Sequence, residues 1–404
     1  MQHLHICLPI LNEFDNLNSL LDCLRKQSYT QFSLYSCINQ PEDWWDDAEK
    51  KSICLDNKKS LEYLSGIDDI DMILIDRSSK ENGWTGKKKG VGWARKLLMD
   101  LAAEKGDKND IIVSIDADTI YEENYFQSLV DIFKEQKHIT AHSNPYYHPL
   151  TGNEELDLAI LRYELYMRVF AIHMLLIDNT YAFSAIGSGM AAKVSEYKRM
   201  GGMSPKQSGE DFYFIQKMRK AGEISNYNSV KVYPQARFSD RVYFGTGPAM
   251  IKGNSGDWSS YPFYPPSLFK NIQDTYHCFP KLFIEDIETP MTPFLQDILK
   301  KKDIWGPLRK NFRKQEHFVN ACEGLVDGLR ILQYLKSSYE DIRRPDEDDL
   351  LLSLSYFSEK YSDINSAFPP LETMKDPLSL ENMKLLRDIL TKIEYEHRKM
   401  KSLH

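Results

Sequence analysis

Four short apolar runs separated by amphipathic helical stretches constrain this chain more than any other feature. The runs are "LHICLPI" (4–10), "FSLYSCI" (32–38), "DMILI" (71–75) and "IIVSI" (111–115). Between the first two, Leu17, Leu20, Leu21 and Leu24 recur at i, i+3, i+4 and i+7, which predicts an amphipathic helix with Asp15 or Asn16 near its start. "WARKLLMDLAAEKG" (93–106) predicts another helix after a Gly- and Lys-rich loop, "GWTGKKKGVG". The polar stretch 39–57 reads as a loop with helical turns. Strands alternating with helices argue for an α/β fold, a mainly parallel sheet covered by helices. Ligands of such sheets sit at the carboxyl ends of the strands. The fourth run delivers Asp116-Ala117-Asp118-Thr119 to that position.

Further along, 153–183 reads as mainly helical, "IGSGMAAKVS" (186–195) as a tight turn into a short strand, and "SVKVYP" (229–234) as a strand. "GEDFYFIQKMRKAG" predicts a helix from near Glu210 to Gly222. Beyond the Gly/Ser/Pro-rich stretch 253–266, Leu-rich helical patterns run to the end, so a boundary is expected near 260, with a catalytic-type domain over 1–260 and an α-helical region over 261–404.

A net charge of -8 lacks the basic footprint of broad nucleic-acid binding. The most apolar segment, "LYMRVFAIHMLLI", carries Arg168 and His173 and is too short for a bilayer span, and the N-terminus has no basic leader. The six cysteines show no CxxC pairing, which reads as reduced thiols in a cytoplasmic protein. No histidine pair has metal-ligand spacing.

Two carboxylates as close as Asp116 and Asp118 repel unless a cation or proton sits between them. Their hard oxygens suit Mg2+ or Mn2+, which in turn hold phosphate oxygens. Two solvated acids after a strand is the competing reading. Glu210 and Asp211 also have two readings. Ser208 with Asp211 resembles a capping box, whereas the preceding glycines at 187, 189, 201 and 202 suit a ligand-approaching turn that projects an acid forward as a general base. Lys87, Lys88, Lys89 and Arg95 are candidate phosphate contacts, Arg95 the better fixed of them. "ARFSDRVYFGTG" (236–247) joins Arg237, Asp240 and Arg241 to a Gly-x-Gly turn able to close over phosphates.

"IIVSIDADT" matches the strand and Asp-x-Asp-x-Thr of haloacid-dehalogenase-like phosphatases, in which Asp116 would be the nucleophile. Their motif opens the fold, however, and here more than a hundred residues precede it. Three motifs in order resemble instead the family-2 glycosyltransferases of the GT-A fold. These are "ICLPILNE", "VSIDADT", and the segment from Gly187 to Gly222 with its Gly-rich start, Gly-Gly turn and Glu-Asp pair. The resemblance covers about residues 4–250. It implies a GT-A-like, Rossmann-related sheet and an inverting, metal-assisted transfer from a nucleotide-sugar, a UDP-sugar first, to a glycan or lipid-linked acceptor. It implies that Pro9, Asn12 and Glu13 line the base and ribose. Asp116, Ala117 and Asp118 would meet the sugar and ribose, with Asp116 and Asp118 holding Mn2+ or Mg2+. Gly187, Ser188, Gly189, Arg95 and Arg241 complete the donor site it implies. Asp211 would be the base and Glu210 its positioning partner. The base-reading acid of many relatives is replaced by Asn39-Gln40, unless Asp76 takes that place, and no third metal ligand is assigned. The processive synthases' transmembrane helices and Gln-x-x-Arg-Trp motif are missing, which favours single transfers, and peripheral membrane contact stays open. A nucleotidyltransferase lacks support, since "PILNEFDN" has no Gly-rich basic loop. A degenerate binding module stays open.

Overall fold

The computed structural model describes residues 2–87, 89–239, 245–361 and 368–402. The chain divides into two compact units. One comprises Met1–Ile160, Phe183–Asp257 and Lys399–His404, the other Leu161–Ala182 and Trp258–Arg398. Residues 161–182 thus group with 258–398, and one division falls between 257 and 258.

The strands of the first unit, in chain order, are β1 (Leu4–Ile10), β2 (Phe32–Asn39), β3 (Met72–Arg77), β4 (Ile111–Ser114), β5 (Thr119–Tyr121), β6 (Ala141–Ser143), β7 (Met190–Lys193), β8 (Ile224–Ser225) and β9 (Val232–Pro234). Seven form a sheet ordered β3-β2-β1-β4-β7-β6-β8, and β5 pairs with β9 in a separate ribbon. Strands β1 to β4 run parallel, as the alternating pattern predicts, and only β7 runs antiparallel to both its sheet neighbours. Every residue of β1 is buried, the signature of a strand covered on both faces.

The β1–β4 ladder ends at Cys7↔Ser114, while β1–β2 continues to Ile10↔Ile38. Cys7 turns its carbonyl toward β4, where it accepts from Ile115 N, so Pro9, two residues on, also presents its backbone to that side. The N–H that proline lacks therefore falls where the ladder has already ended. A central strand tolerates Pro9 for that reason.

The first unit's helices are α1 (Phe14–Arg25), α2 (Lys51–Ser65), α3 (Val91–Lys105), α4 (Tyr125–Glu135), α5 (Glu154–Leu176, of which only the start belongs here), α6 (Val194–Arg199), α7 (Glu210–Ala221) and α8 (Thr246–Asn254). Helix α1 buries Leu17, Leu20, Leu21 and Leu24, the stripe read from spacing. Helix α2 overlaps, over 51–57, the stretch read as a loop with helical turns. It buries Cys54, Asn57, Ser60 and Leu64, and a stripe half made of polar residues gives little hydrophobic periodicity to read.

Helix α3 packs closely on the segment before α7. A Cβ on Gly92 would lie 2.1 Å from the Lys206 carbonyl oxygen and 2.9 Å from its nitrogen. Gly92→Ala gains about 1 kcal/mol of helix propensity, but a clash with backbone outweighs it, and overpacking of this kind costs about 1–3 kcal/mol. A lower denaturation midpoint for Gly92→Ala is the expected result; an unchanged or higher one would show that the segment yields.

The second unit is helical: the rest of α5, then α9 (Pro266–Leu282), α10 (Thr292–Leu299), α11 (Gly306–Asn311), α12 (Gln315–Leu325), α13 (Gly328–Tyr339), α14 (Asp346–Lys360) and α15 (Leu380–Ser402). The charges of the apolar segment 165–177 are accounted for here. Arg168 bonds Glu164 and, at 2.7 Å, Glu394, all three buried. His173 stacks on Phe269 at 4.2 Å and meets Ser353 at 3.0 Å, and burial pushes its pKa down to about 3, so it is neutral. No described helix is long and apolar enough to cross a membrane. All six cysteines are free thiols.

Candidate active site

The carboxyl ends of β1 and β4, the turn before β7 and the start of α7 meet around five carboxylates and two arginines, all within the first unit. The Asp-x-Asp turn is fixed from below. Tyr121, on β5, accepts a hydrogen bond from Asp116 N at 3.0 Å and donates to Ser188 O at 3.1 Å. The hydroxyl thus ties the acidic turn to the Gly187–Gly189 turn. Ala117 is buried between the two acids.

Arg95 reaches the site from α3 with its side chain 3% exposed. Its Nη2 donates to Asp116 Oδ1 at 2.9 Å, its Nε to Glu210 Oε1 at 3.2 Å, and its Nη1 to the Gly187 carbonyl at 3.0 Å and to Ser114 Oγ. Glycine at 187 is a packing requirement, because a Cβ there would lie 2.8 Å from Arg95 Nη2. Gly189 is nearly as crowded, by Asn144 and Val232. Ser188 Oγ, between them, is buried without a partner among the described residues.

Arg237 performs the matching task on the other side. Its Nη1 and Nη2 donate to Glu13 at 3.0 and 2.5 Å, and Nη2 lies 2.5 Å from Asp118 Oδ2. Burial first, opposed by Arg237 and reinforced by the Glu13 and Asp116 charges, pushes the Asp118 pKa up to about 7. Glu13 is raised too, burial again being the main cause, against Arg237 and a 2.6 Å hydrogen bond from Asn16. Asn12 precedes it with φ 56°, a left-handed conformation that asparagine tolerates better than most residues. Asn57 Oδ1 holds the Asn12 N–H at 2.9 Å.

Glu210 and Asp211 open α7. Gly209, with φ 68°, occupies the N-cap in place of the Ser208 of the capping-box reading, and it offers no side chain to the helix. Asp211 Oδ1 accepts from Phe212 N at 2.7 Å. Burial and then the neighbouring Glu210 charge push its pKa up to about 7. A carboxyl with a pKa there is matched to taking a proton near neutral pH.

Three other candidates are drawn into local structure. Asn39 donates to Ile10 O at 2.9 Å and accepts from Trp84 Nε1 at 3.3 Å. Gln40 is likewise committed, to Asn57 and Cys54. Asp76 Oδ1 gathers Ser78 N, Ser78 Oγ and Ser79 N while Oδ2 accepts from Asn82, so this carboxylate organises its own loop and its pKa is lowered by those bonds against burial. Lys87 is exposed and Lys89 half-buried. Lys88, Asp240 and Arg241 lie outside the described residues.

Sequence reasoning named Arg237 as a residue of a phosphate-closing segment but did not join it to Glu13 and Asp118. It missed Tyr121 and Ser114 altogether. No spacing rule reports such pairs, because 224 positions separate Arg237 from Glu13.

Among the described residues no group of three or more His, Cys, Asp or Glu is arranged to hold a metal. Asp116 and Asp118 offer two hard carboxylates, which fits Mg2+ or Mn2+, ions that keep waters and take phosphate oxygens for the remaining positions.

No protein-family model and no curated protein matches the chain. Among solved structures it is similar to S. aureus TarS 1–349 in complex with UDP-GlcNAc, at 13% identity and a TM-score of 0.41, over 99% of this chain and 92% of that one. It is similar to the mannosyltransferase PcManGT of Pyrobaculum calidifontis in complex with GDP-Man and Mn2+, at 12% identity and a TM-score of 0.38, over 98% and 87%. It is also similar to the glucosyl-3-phosphoglycerate synthase of Mycobacterium tuberculosis with Mg2+ and UDP, at 15% identity and a TM-score of 0.35, over 63% and 80%.

Proposed function

We propose that the chain is a glycosyltransferase of the GT-A type that moves a sugar from a nucleotide-sugar, a UDP-sugar first, to a hydroxyl of a glycan or lipid-linked acceptor with inversion. One observation carries the reading: Asp116 and Asp118 at a strand's carboxyl end share a charge cluster with Asp211, a carboxyl raised to about 7. Metal-type acids and a base-type acid in one cluster answer the two needs of the reaction, a stabilised diphosphate leaving group and an activated hydroxyl.

In this reading Asp116 and Asp118 would hold a Mn2+ or Mg2+ ion, which would supply positive charge against the negative charge of the departing diphosphate. Asp211 accepts the acceptor hydroxyl's proton, and Glu210, fixed by Arg95, keeps that carboxyl basic. Pro9, Asn12, Glu13 and the Gly187–Gly189 turn border the donor. Cytoplasmic location with peripheral membrane contact belongs to the same proposal. The phosphatase reading needs Asp116 as an unencumbered nucleophile, whereas Arg95 Nη2 bonds it at 2.9 Å.

Thermal unfolding with UDP, GDP, CDP and dTDP, each with and without Mn2+, tests the reading. One nucleotide should raise the midpoint of the parent but not of Asp118→Asn, with about 3 kcal/mol of stabilisation at a hundredfold excess over its dissociation constant. No response to any of the four would overturn it.

A further inference from the structure

Arg95 and Arg237 each neutralise one of the two motif acids, Arg95 pairing with Asp116 and Arg237 with Asp118, from opposite surroundings. Arg95 stands on a helix, is 3% exposed and spends its guanidinium on four partners, two of them uncharged. It is a strut, and nothing can replace it without unpairing the part-exposed Asp116 and the buried Glu210 together. Arg237 lies past β9 in a segment without regular structure, is 32% exposed, and among the described residues bonds only the carboxylates of Glu13 and Asp118, themselves 7% and 17% exposed. Three charges, two negative and one positive, thus meet with the cation on the solvent side.

We infer that Arg237 is the built-in counter-ion of Asp118 and Glu13 in the donor-free protein, and that a divalent cation reaches Asp118 only in exchange for it. The inference rests on the transferase reading and adds a control on its donor site. A divalent ion on Asp118 and a guanidinium 2.5 Å from the same carboxylate cannot coexist without like-charge repulsion in a poorly solvated cluster. One of them leaves. The partly exposed arginine, on irregular backbone, is the one free to do so, and once released it carries its charge to the mouth of the site, where the phosphates of a donor would meet it. Free metal therefore binds weakly, and metal arriving with a diphosphate binds better, because the released arginine gains an anionic partner.

The test uses Mn2+ alone as probe on the full chain without nucleotide, free Mn2+ being read by its electron paramagnetic resonance signal. Arg237→Gln is expected to bind Mn2+ on the order of tenfold more tightly than the parent or better, given the coupling measured between close charge pairs. Arg237→Lys should fall between them, and Asp118→Asn combined with Arg237→Gln should lose the gain. Because Arg237→Gln leaves the buried Glu13 and the half-buried Asp118 unpaired, the double variant Glu13→Gln/Arg237→Gln guards against misfolding and should also bind more tightly than Glu13→Gln alone. Equal or weaker Mn2+ affinity in both arginine variants overturns the exchange, even where nucleotides still stabilise the parent and the transferase reading stands. Tighter Mn2+ binding with no nucleotide response keeps the exchange and sinks the transferase.

Discussion

Asp211→Asn is expected to lower transfer by on the order of 10²–10⁴, the usual worth of a positioned general base, while leaving the nucleotide-induced rise in midpoint intact. The amide keeps the shape of the side chain and removes only its ability to take a proton. An equal loss of nucleotide binding would place Asp211 in donor recognition instead. The raised carboxyl gives a second readout. The base works ionised, so kcat/KM should climb about tenfold per pH unit below about 7 and level off above it. Glu210 contributes to that elevation through its charge, so Glu210→Gln should move the inflection to lower pH. Stability runs the other way. The folded-state value is above the ordinary 3.8, so the fold prefers Asp211 protonated; that contribution is full below the ordinary value and is lost as pH rises through about 7. Asp211→Asn should therefore unfold at a higher temperature than the parent at pH 8 and show no such advantage near pH 4.

Arg95→Gln should be the most destabilising single change in the site. It strands two carboxylates, Glu210 with a 6% exposed side chain and Asp116 with 30%, and leaves the Gly187 carbonyl and Ser114 hydroxyl short of a donor. Removing one member of a buried ion pair costs about 3–5 kcal/mol. At about 2–4 °C per kcal/mol for a domain of about 200 residues, the midpoint falls by roughly 10 °C. Arg95→Lys should recover only part of the loss, since an ammonium is a point charge and cannot span both acids in a fixed fork. A change under about 1 kcal/mol in Arg95→Gln would mean the cluster is better hydrated than its burial indicates. Calorimetry of the two variants decides it.

Much of the frame was legible in local chemistry. The four parallel strands stood out because a strand covered on both faces must be apolar throughout, and β1 is buried at every residue. Helix α1 was legible through its leucine spacing, whereas α2 was not, because Asn57 and Ser60 sit in its buried stripe. The antiparallel run of β7 was also hidden: "MAAK" holds no information about which way its neighbours point.

At the site the same division holds. Residue order alone brought Asp116 and Asp118 to a strand end and Glu210 and Asp211 to a helix start, since strand, turn and helix propensities act over a few residues. The sequence by itself therefore determined the element types and which acids stand at their ends. Only the tertiary structure decided which charges compensate them. Arg95 reaches Glu210 across 115 positions and Arg237 reaches Glu13 across 224. Pairings of that kind are set by how the sheet and its crossover helices close in space, and electrostatic partners depend on distance through space, not along the chain.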